Sequence, residues 1–257
     1  MNTFLLARIL SWTALSAAVA FGQTPGPVTV INYSNLDTKA PIAPGSIASA
    51  YGTFGTVTTT ALTSLSPMPR ALAGVRLTIG GFDAPLYFVS TNQINFVVPV
   101  ATPTTTGSAA VEVFNGTTVV ARGTVNVFDV WPALATAGTA ATRPAIAQNQ
   151  DFGINSATAR AKRGEVIQLY ATGCGVTEPR VTDGAPPAAL SRAVANVRVT
   201  ISVVEVPAQF AGAHPQFPGI CQINAVIPAD TFIAGQVPVI VTVNGIASNA
   251  VSIWVAE

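Results

Sequence analysis

The sequence predicts an all-β fold class, with two tandem β-sandwich domains in the mature chain. Three observations favour this class. Only 9% of the 257 residues are charged while 49% are hydrophobic, a balance that suits strands joined by tight turns better than helices with solvated faces. Short alternating apolar segments are separated by turns that contain Gly and Asn. A series of motifs also occurs twice in the same order, which indicates a duplicated domain.

The duplication consists of three pairs of motifs spaced about 120 to 130 residues apart, which is too far for a solenoid repeat. In the first pair, a Gly turn opens an alternating strand that ends in Tyr and a Gly-rich bend. The second pair is Gln-Ile-Asn, and the third is an apolar strand followed by Asn-Gly. The pairs are 44–55 with 163–175, 93–99 with 222–228, and 111–116 with 239–245.

Each copy contains six candidate strands. The first copy has 46–51, 75–79, 86–89, 94–98, 109–114 and 118–128, and the second has 166–170, 197–203, 209–211, 221–227, 237–243 and 250–255. Asn-Gly at 115–116 and 244–245 predicts hairpin turns, because both central residues can take a positive φ. Such evenly spaced strands are typical of immunoglobulin-like β-sandwiches. We therefore expect two tandem immunoglobulin-like domains, over 25–130 and 131–257, divided near Trp131.

Segments between the candidate strands carry further expectations. The Ala-, Thr- and Gly-rich stretch 133–161 is expected to add a hairpin to the second domain, held by the apolar groups 145–147 and 152–154; a loose linker is the alternative. The Thr-rich runs 56–63 and 102–106 are expected to be exposed loops or edges.

The two Gln-Ile-Asn units have a functional and a structural interpretation. The functional interpretation is a polar binding site. In the structural one, the Gln and Asn amides hydrogen-bond to backbone groups at a sheet edge or bend. We favour the structural interpretation for both units.

The first twenty residues have the order of a signal peptide. Arg8 supplies the positive charge, the apolar run 9–15 follows, and Ala18-Val19-Ala20 gives a small-x-small cleavage site. An N-terminal membrane anchor is the alternative, but the run is short and rich in Ser, Thr and Ala. No later segment reaches the about 18 continuous apolar residues of a membrane-spanning helix. We expect a protein that is secreted or held at the cell surface.

The net charge of +1 bears on the class of partner. Nucleic-acid binding usually demands a dense basic face, and attraction to an anionic membrane demands clustered cations. The sequence therefore favours no nucleic acid and no membrane surface as a partner.

The order of the motifs resembles the Solibacter uncharacterised C-terminal domain family, found in exported proteins of acidobacteria. The resemblance runs from about residue 30 to residue 255. It implies extracellular placement and an immunoglobulin-like or TIG-like fold, and it implies no activity. The motifs are Pro44-Gly45-Ser46-Ile47, Tyr87-Phe88-Val89-Ser90, Gln93-Ile94-Asn95, Val98-Pro99, Arg163-Gly164-Glu165-Val166, Tyr170-Ala171-Thr172-Gly173, Gln222-Ile223-Asn224 and Ser248-Asn249.

Two cysteines depart from this family pattern. Members that resemble this chain commonly carry Leu or Phe where Cys174 stands, and an aromatic residue or Leu where Cys221 stands. An even count of cysteines in an exported protein suggests a disulfide, and the paired departure supports a Cys174–Cys221 bridge. The alternative is two buried free thiols that act as small hydrophobic side chains.

The residues that could carry catalysis form no recognisable set. His214 is the only imidazole, lies in a Pro- and Gly-rich loop, and has no Gly-x-Ser-x-Gly partner motif; a structural or solvated role is expected for it. Cys174 would need a nearby base to serve as a nucleophile. The acids are scattered singly, and no calcium loop, metal motif or phosphate loop occurs. Examples of these single acids are Asp83, Glu112, Asp129, Asp183 and Glu205. We expect no enzyme activity, no cofactor and no metal site.

The leading functional hypothesis is a non-catalytic structural or adhesion module outside the cell, with an unknown protein or glycan as partner. An alternative is a carbohydrate-binding module, in which a flat surface row of aromatics would bind sugars. A second alternative is an enzyme with a cleft between the domains, which would bring acids together. The aromatic candidates are Phe82, Tyr87, Phe210 and Phe217.

Overall fold

A computed structural model gives the architecture of most of the chain. Its described residues form twenty-one β-strands and no helix, which confirms the all-β class. Among the residues that the structure describes, there is no helix of the length and hydrophobicity needed to cross a membrane. The predicted signal peptide, residues 1–20, lies outside them. The described residues are 24–32, 40–55, 60–61, 66–105, 107–137, 143–230 and 232–257.

The first domain is a sandwich of nine strands. Strand β1 pairs antiparallel with β2 and parallel with β9, so it contributes to both sheets. One sheet has the order β1-β2-β7-β6, with β3 added at its edge, and the other has the order β1-β9-β8-β4-β5. The order β1-β2-β7-β6 corresponds to A-B-E-D of an immunoglobulin domain, and β1-β9-β8-β4-β5 corresponds to A-G-F-C-C′. The strands are β1 (Gly26–Asn32), β2 (Ile47–Gly52), β3 (Thr60–Ala61), β4 (Val75–Ile79), β5 (Phe82–Asp83), β6 (Leu86–Val89), β7 (Gln93–Val97), β8 (Ser108–Asn115) and β9 (Thr118–Asn126).

The second domain repeats this order. One sheet runs β10-β12-β18-β17-β14-β13, with β11 also on β12, and the other runs β16-β15-β19-β20, with β21 also on β19. Together they give A-B-E-D and C′-C-F-G, so both domains are immunoglobulin-like. The strands are β10 (Ala133–Leu134), β11 (Ala147–Gln148), β12 (Val166–Thr172), β13 (Thr177–Glu178), β14 (Arg192–Ala193), β15 (Val197–Ile201), β16 (Val204–Pro207), β17 (Phe210–Ala213), β18 (Cys221–Val226), β19 (Gly235–Val243), β20 (Ile246–Ala247) and β21 (Val251–Val255).

The hydrophobic core falls into two clusters, because each sandwich buries the inner faces of its own strands. One cluster uses residues from 28 to 127 and the other uses residues from 130 to 255. Strand β12 shows the underlying pattern: Ile167 and Leu169 are fully buried, and the residues that alternate with them face outward. The change of cluster falls next to Trp131. That the two domains fold separately stays a prediction.

The duplicated motifs occupy the same register in both domains. In the first domain, β2 and β7 place Tyr51 opposite Gln93 and Ser49 opposite Asn95. Strands β12 and β18 reproduce this arrangement in the second domain, as the repeat predicted. There, Tyr170 lies opposite Gln222, and Gln168 lies opposite Asn224.

Only one of the two Asn-Gly hairpins has the predicted turn. Asn244 and Gly245 have φ of 46° and 86° and form a two-residue loop between β19 and β20. In the first domain, Asn115 instead ends β8 and pairs with Thr118. A β-bulge between β8 and β9 moves the loop one residue along the chain, so Gly116 becomes its first central residue with φ of 58°.

The connection between the domains adds short strands to the second domain, as expected, but its apolar groups behave differently. Ala145 and Ala147 are buried, and Gln148 forms a bridge with Ile154. The prediction that 152–154 holds this hairpin is wrong, because Phe152 is 71% exposed and Ile154 is 60% exposed. Phe152 lies in the turn with a positive φ of 65°, which directs it away from the core.

The Thr-rich runs are partly as expected. Thr60–Ala61 forms β3, the edge strand beside β6, whereas 56–59 and 62–65 lie outside the described residues. The expected exposure of 102–106 is wrong for Thr102, which is only 4% exposed. Its N–H donates to the Pro99 carbonyl, and this turn folds the Thr102 side chain inward.

Candidate functional site

The second-domain sheet that contains β12, β18 and β17 has an outer surface unusually rich in amides and aromatic rings. Because side chains alternate along β12 and β18, the apolar residues fill the core and the polar ones face outward. We call this surface the amide face, and it comprises Gln148, Gln168, Tyr170, Phe210, Gln222 and Asn224.

The amide face is ordered in rows across the strands. Gln148, Gln168, Asn224 and Phe210 lie opposite one another on β11, β12, β18 and β17. The next row contains Tyr170, Gln222, Gly212 and Arg192. Gly212 is required there because a Cβ atom would lie 2.1 Å from the Ser191 carbonyl oxygen.

Side-chain hydrogen bonds join the amides into a ladder. Gln222 Nε2 donates to Gln168 Oε1 and to Asn224 Oδ1, each at 3.0 Å. Tyr170 Oη donates to Gln148 Oε1, and burial raises the pKa of this phenol, which keeps it a donor. The rungs therefore hold the amides in fixed orientations.

This ladder corrects the prediction for the Gln-Ile-Asn units. Their amides bond to other side chains, and β18 lies inside its sheet between β12 and β17, not at an edge. Residues two apart in a strand project from the same face, so the Gln222 and Asn224 amides reach each other. The neighbouring backbone groups are already used by the paired strands.

Aromatic rings border the amide face on the side of the 214–220 loop. The His214 ring lies 5.5 Å from the Tyr170 ring and 4.8 Å from the Phe217 ring, measured between centroids. Phe217 is 58% exposed. On the other side, the Arg192 guanidinium lies 5.1 Å from the Phe210 ring centroid. The rings thus flank the amides on two sides.

His214 holds the loop that presents Phe217. Its Nδ1 accepts hydrogen bonds from the N–H groups of Gln216 and Phe217, at 3.0 and 3.1 Å, so the neutral ring carries its proton on Nε2. Burial lowers the pKa of His214, which favours the neutral form that these bonds need. The side chain serves as a structural support for the loop, as expected.

A groove deepens the amide face next to Phe210. Pro187 and Leu190 line it together with Gln222 and Asn224. Its volume is about 580 Å³, within the size range of small-ligand sites. Among the groove's lining residues none is charged.

The corresponding surface of the first domain is less accessible at its Asn, although Tyr51 is 39% exposed. Gln93 Nε2 and Ser49 Oγ both donate to Asn95 Oδ1 at 2.8 Å, which repeats the amide contact of the second domain. However, Ser49 is 2% exposed and Asn95 is 9% exposed, whereas Gln168 and Asn224 are half-buried. The Asn of the motif and its row partner are thus accessible only in the second domain, whereas the Gln is half-buried in both.

The four aromatic candidates divide between the domains. Phe210 and Phe217 lie on or beside the amide face, whereas Phe82 lies in the β4–β5 hairpin and Tyr87 on β6 of the first domain. Sequence reasoning missed Tyr170 as a member of the surface. The available signal was its position two residues after Gln168, with the apolar Leu169 between them, which places both on one face of β12.

The structure confirms the predicted disulfide. Cys174 and Cys221 are bonded with a Cα–Cα distance of 6.3 Å, and both are buried. Cys221 opens β18 opposite Ala171 of β12, so the bridge closes one end of a single sheet. In antibody domains the disulfide instead connects the two sheets.

The bridge lies at the junction of the two domains. The Ile47 N–H donates to Thr172 Oγ1 at 2.8 Å, and the Trp131 N–H donates to the Gly173 carbonyl at 2.9 Å. A Cβ atom on Gly173 would lie 2.0 Å from the Trp131 carbonyl oxygen. Only glycine therefore permits this contact between the domains.

A small cavity lies beside this junction. Pro44 and Val100 of the first domain line it together with Cys174 and Cys221. Its volume of about 60 Å³ suits about two water molecules and is too small for an organic substrate. This cavity gives no support to the hypothesis of an enzyme with a cleft between the domains.

Most of the acids considered in the sequence form ion pairs. Within the described ranges, no three His, Cys, Asp or Glu side chains form a group that could hold a metal ion. The pairs are Arg76 with Asp83, Arg122 with Glu112, Arg198 with Glu205, and Arg70 with Asp183.

The fold and this surface define the class as a tandem immunoglobulin-like β-sandwich protein. No protein-family model matches the chain, and no curated protein matches it. The resemblance to the Solibacter uncharacterised C-terminal domain family stays a prediction.

Solved structures give distant likenesses. A titin fragment is 11% identical, covering 85% of this chain and 95% of its own, with a TM-score of 0.25. A β-glycosidase from Bacteroides vulgatus is 13% identical, covering 91% of this chain and 25% of its own, with a TM-score of 0.23. The tandem immunoglobulin repeats of Dlar are 12% identical to this chain, and the match covers 90% of this chain and 98% of the Dlar chain, with a TM-score of 0.20. TM-scores this low carry no argument, and the fold assignment rests on strand order.

Proposed function

We propose that this protein is a non-catalytic structural or adhesion module that acts outside the cell and makes contact through the amide face. The observation that carries the proposal is the contrast between the domains. Both contain the Gln-Asn contact, but Asn95 and its row partner Ser49 are buried, whereas Asn224 and its row partner Gln168 are half-buried and accessible. A surface of fixed side chains on a sheet is pre-organised for binding.

The domain junction supports a structural role. Asp183 of the second domain accepts a hydrogen bond from the Val100 N–H at 2.9 Å and pairs with Arg70 at 3.4 Å. The Met68 N–H donates to the Gly184 carbonyl at 2.8 Å. Together with the Thr172 contact, these bonds attach the first domain to the domain that carries the amide face.

The proposed location outside the cell rests on two features. The Cys174–Cys221 bridge suits an oxidising compartment, and residues 1–20 have the order of a signal peptide. Mass spectrometry of the protein recovered from its host's medium or envelope tests this. Mature protein that retains residues 1–20 would contradict the proposed export.

A cell-adhesion assay tests the proposed function. Surfaces coated with the purified protein are expected to retain cells or envelope fragments of the host. Gln222→Ala and Phe217→Ala should reduce retention. Gln93→Ala, the first-domain counterpart of Gln222→Ala, and Phe82→Ala, which removes an exposed ring of the first domain, serve as controls and should retain cells like the unchanged protein. Equal retention by all four variants would reject the amide face as the contact surface.

A further inference from the structure

We infer that the ligand of the amide face is a neutral oligosaccharide, lying across β11, β12, β18 and β17. This inference rests on the proposed function and names the class of ligand. Four features of the face carry it: the free capacity of the amides, the placement of the rings, the balance of charge and the length of the row.

The amides retain the capacity to bind hydroxyl groups. Gln222 uses its Nε2 within the ladder, which fixes the carbonyl ends of Gln168 and Asn224. Among the residues that the structure describes, the Gln168 Nε2 and Asn224 Nδ2 donors have no hydrogen-bond partner. An amide offers a donor and an acceptor in one plane, which matches the neighbouring hydroxyl groups of a sugar ring.

The rings supply the apolar part of sugar recognition. One face of a pyranose ring carries several C–H bonds, and these weakly positive hydrogens are attracted to the negative face of an aromatic ring. Phe210 lies in the same row as Gln168 and Asn224. Beside that row, the His214 ring packs between the rings of Tyr170 and Phe217. Amides flanked by rings fit a ligand that is polar at its edges and apolar on its faces.

The charges on this side of the sheet favour a neutral ligand. Arg192 lies against Phe210, and Glu178 is directly opposite Arg192 on the neighbouring strand. One cation and one anion therefore balance each other at the end of the row, and the six residues of the amide face carry no formal charge. An acidic polysaccharide would require more cations than this surface offers.

The length of the row indicates an oligosaccharide rather than a single sugar. Gln148 and Phe210 stand at opposite ends of four adjacent strands. Three inter-strand spacings of about 4.8 Å give a row of about 14 Å, enough for about three sugar units. The exposed Phe217 extends the surface beyond this row.

Binding to an array of neutral and acidic glycans, followed by calorimetry on the best ligand, tests the inference with the full mature chain. We expect at least one neutral oligosaccharide to bind, and Phe217→Ala and Asn224→Ala to weaken that binding by about tenfold. Phe82→Ala and Gln93→Ala, in the first domain, should bind like the unchanged protein. Thermal unfolding of each variant confirms that it is folded.

Three outcomes would overturn the inference: no neutral glycan binds, only acidic glycans bind, or the Phe217 and Asn224 variants bind like the unchanged protein. The adhesion assay separates this result from the proposed function. If Gln222→Ala loses cell retention while no glycan binds, the adhesion proposal stands and the ligand class is wrong. If retention does not depend on the face, the proposed function itself fails.

Discussion

Gln222 Nε2 donates to Asn224 Oδ1 over 3.0 Å, two residues along the same strand. Gln93 makes the same bond to Asn95 over 2.8 Å in the first domain. A short motif thus encodes the same side-chain contact twice. What differs between the domains is the neighbouring side chain, Ser49 in one and Gln168 in the other, and the degree of burial.

Because the two contacts differ in burial, loss of Ser49 and loss of Gln168 should lower the free energy of unfolding by different amounts. Ser49→Ala removes a donor from the buried Asn95 Oδ1, so we expect the free energy of unfolding to fall by about 1 to 2 kcal/mol. Gln168→Ala, the matched change on the open surface, should cost less than about 0.5 kcal/mol because water replaces the lost bond. Urea unfolding of both variants measures the difference, and equal costs would contradict the assignment of an accessible and a buried contact.

Removal of the Cys174–Cys221 bridge should lower the stability of the protein. The cysteines are 47 residues apart, and by the chain-entropy model a loop of this size contributes about 4 kcal/mol. We expect the double variant Cys174→Ala, Cys221→Ala to lose up to this amount in urea unfolding. Thiol titration of the unchanged protein, unfolded without reductant, should find no reactive thiol; two per chain would refute the bridge.

Stability should depend on the protonation of His214. Burial lowers its pKa in the folded state below the usual 6.5, so the unfolded chain takes up a proton first as the pH falls. The stabilising effect of neutral His214 is therefore complete above about pH 6.5 and is lost as the pH falls through the folded-state pKa. The urea concentration at the midpoint of unfolding should therefore decrease as the pH is lowered from about 7.5 to about 5.

The variant His214→Asn provides the control for this pH dependence. Its side-chain oxygen can still accept hydrogen bonds from the loop N–H groups, but it does not titrate in this range. We expect a weaker decrease of the urea midpoint with falling pH. If the variant shows the same decrease as the unchanged protein, another group is responsible.

Loss of Asp183 should loosen the domain junction. Asp183→Ala removes the acceptor of the Val100 N–H, and a hydrogen bond to a charged group contributes about 1.5 to 3 kcal/mol. Arg70→Ala removes a half-exposed ion pair and an exposed hydrogen bond to the Asp83 carbonyl, and it should cost less than about 1 kcal/mol. Small-angle X-ray scattering should show a broader range of domain orientations for Asp183→Ala alone. Identical scattering from both variants would contradict a role for Asp183 at the junction.

Local sequence patterns predicted many of the longer strands and missed the shortest ones, but they also missed β1 (Gly26–Asn32), which has seven residues. The bounds of β4 and β6 were predicted without error, because alternation and flanking turns define them. Strands such as β10 and β13 contain two residues each, too few for any periodicity. They exist because the neighbouring strand offers partners, which is information held by the tertiary structure.

The site was predictable only in part for the same reason. The sequence identified Gln222-Ile223-Asn224 as a unit and Phe217 as a candidate ring. It gave no means of knowing that Tyr170 lies opposite Gln222, or that β18 is an inner strand. Strand neighbours far apart in the chain decide which outward side chains share a face.

The position of the Cys174–Cys221 bridge has a mechanical consequence. Part of a pulling force between the domains enters the sheet that contains β12 and β18 through Thr172 and Gly173, next to Cys174. Without a covalent link, the hydrogen bonds between β12 and β18 would open one after another from that end, as in peeling. The bridge holds this end closed, so tension is shared by all the paired strands, and we expect the contacts between the domains to rupture before the sheet unravels.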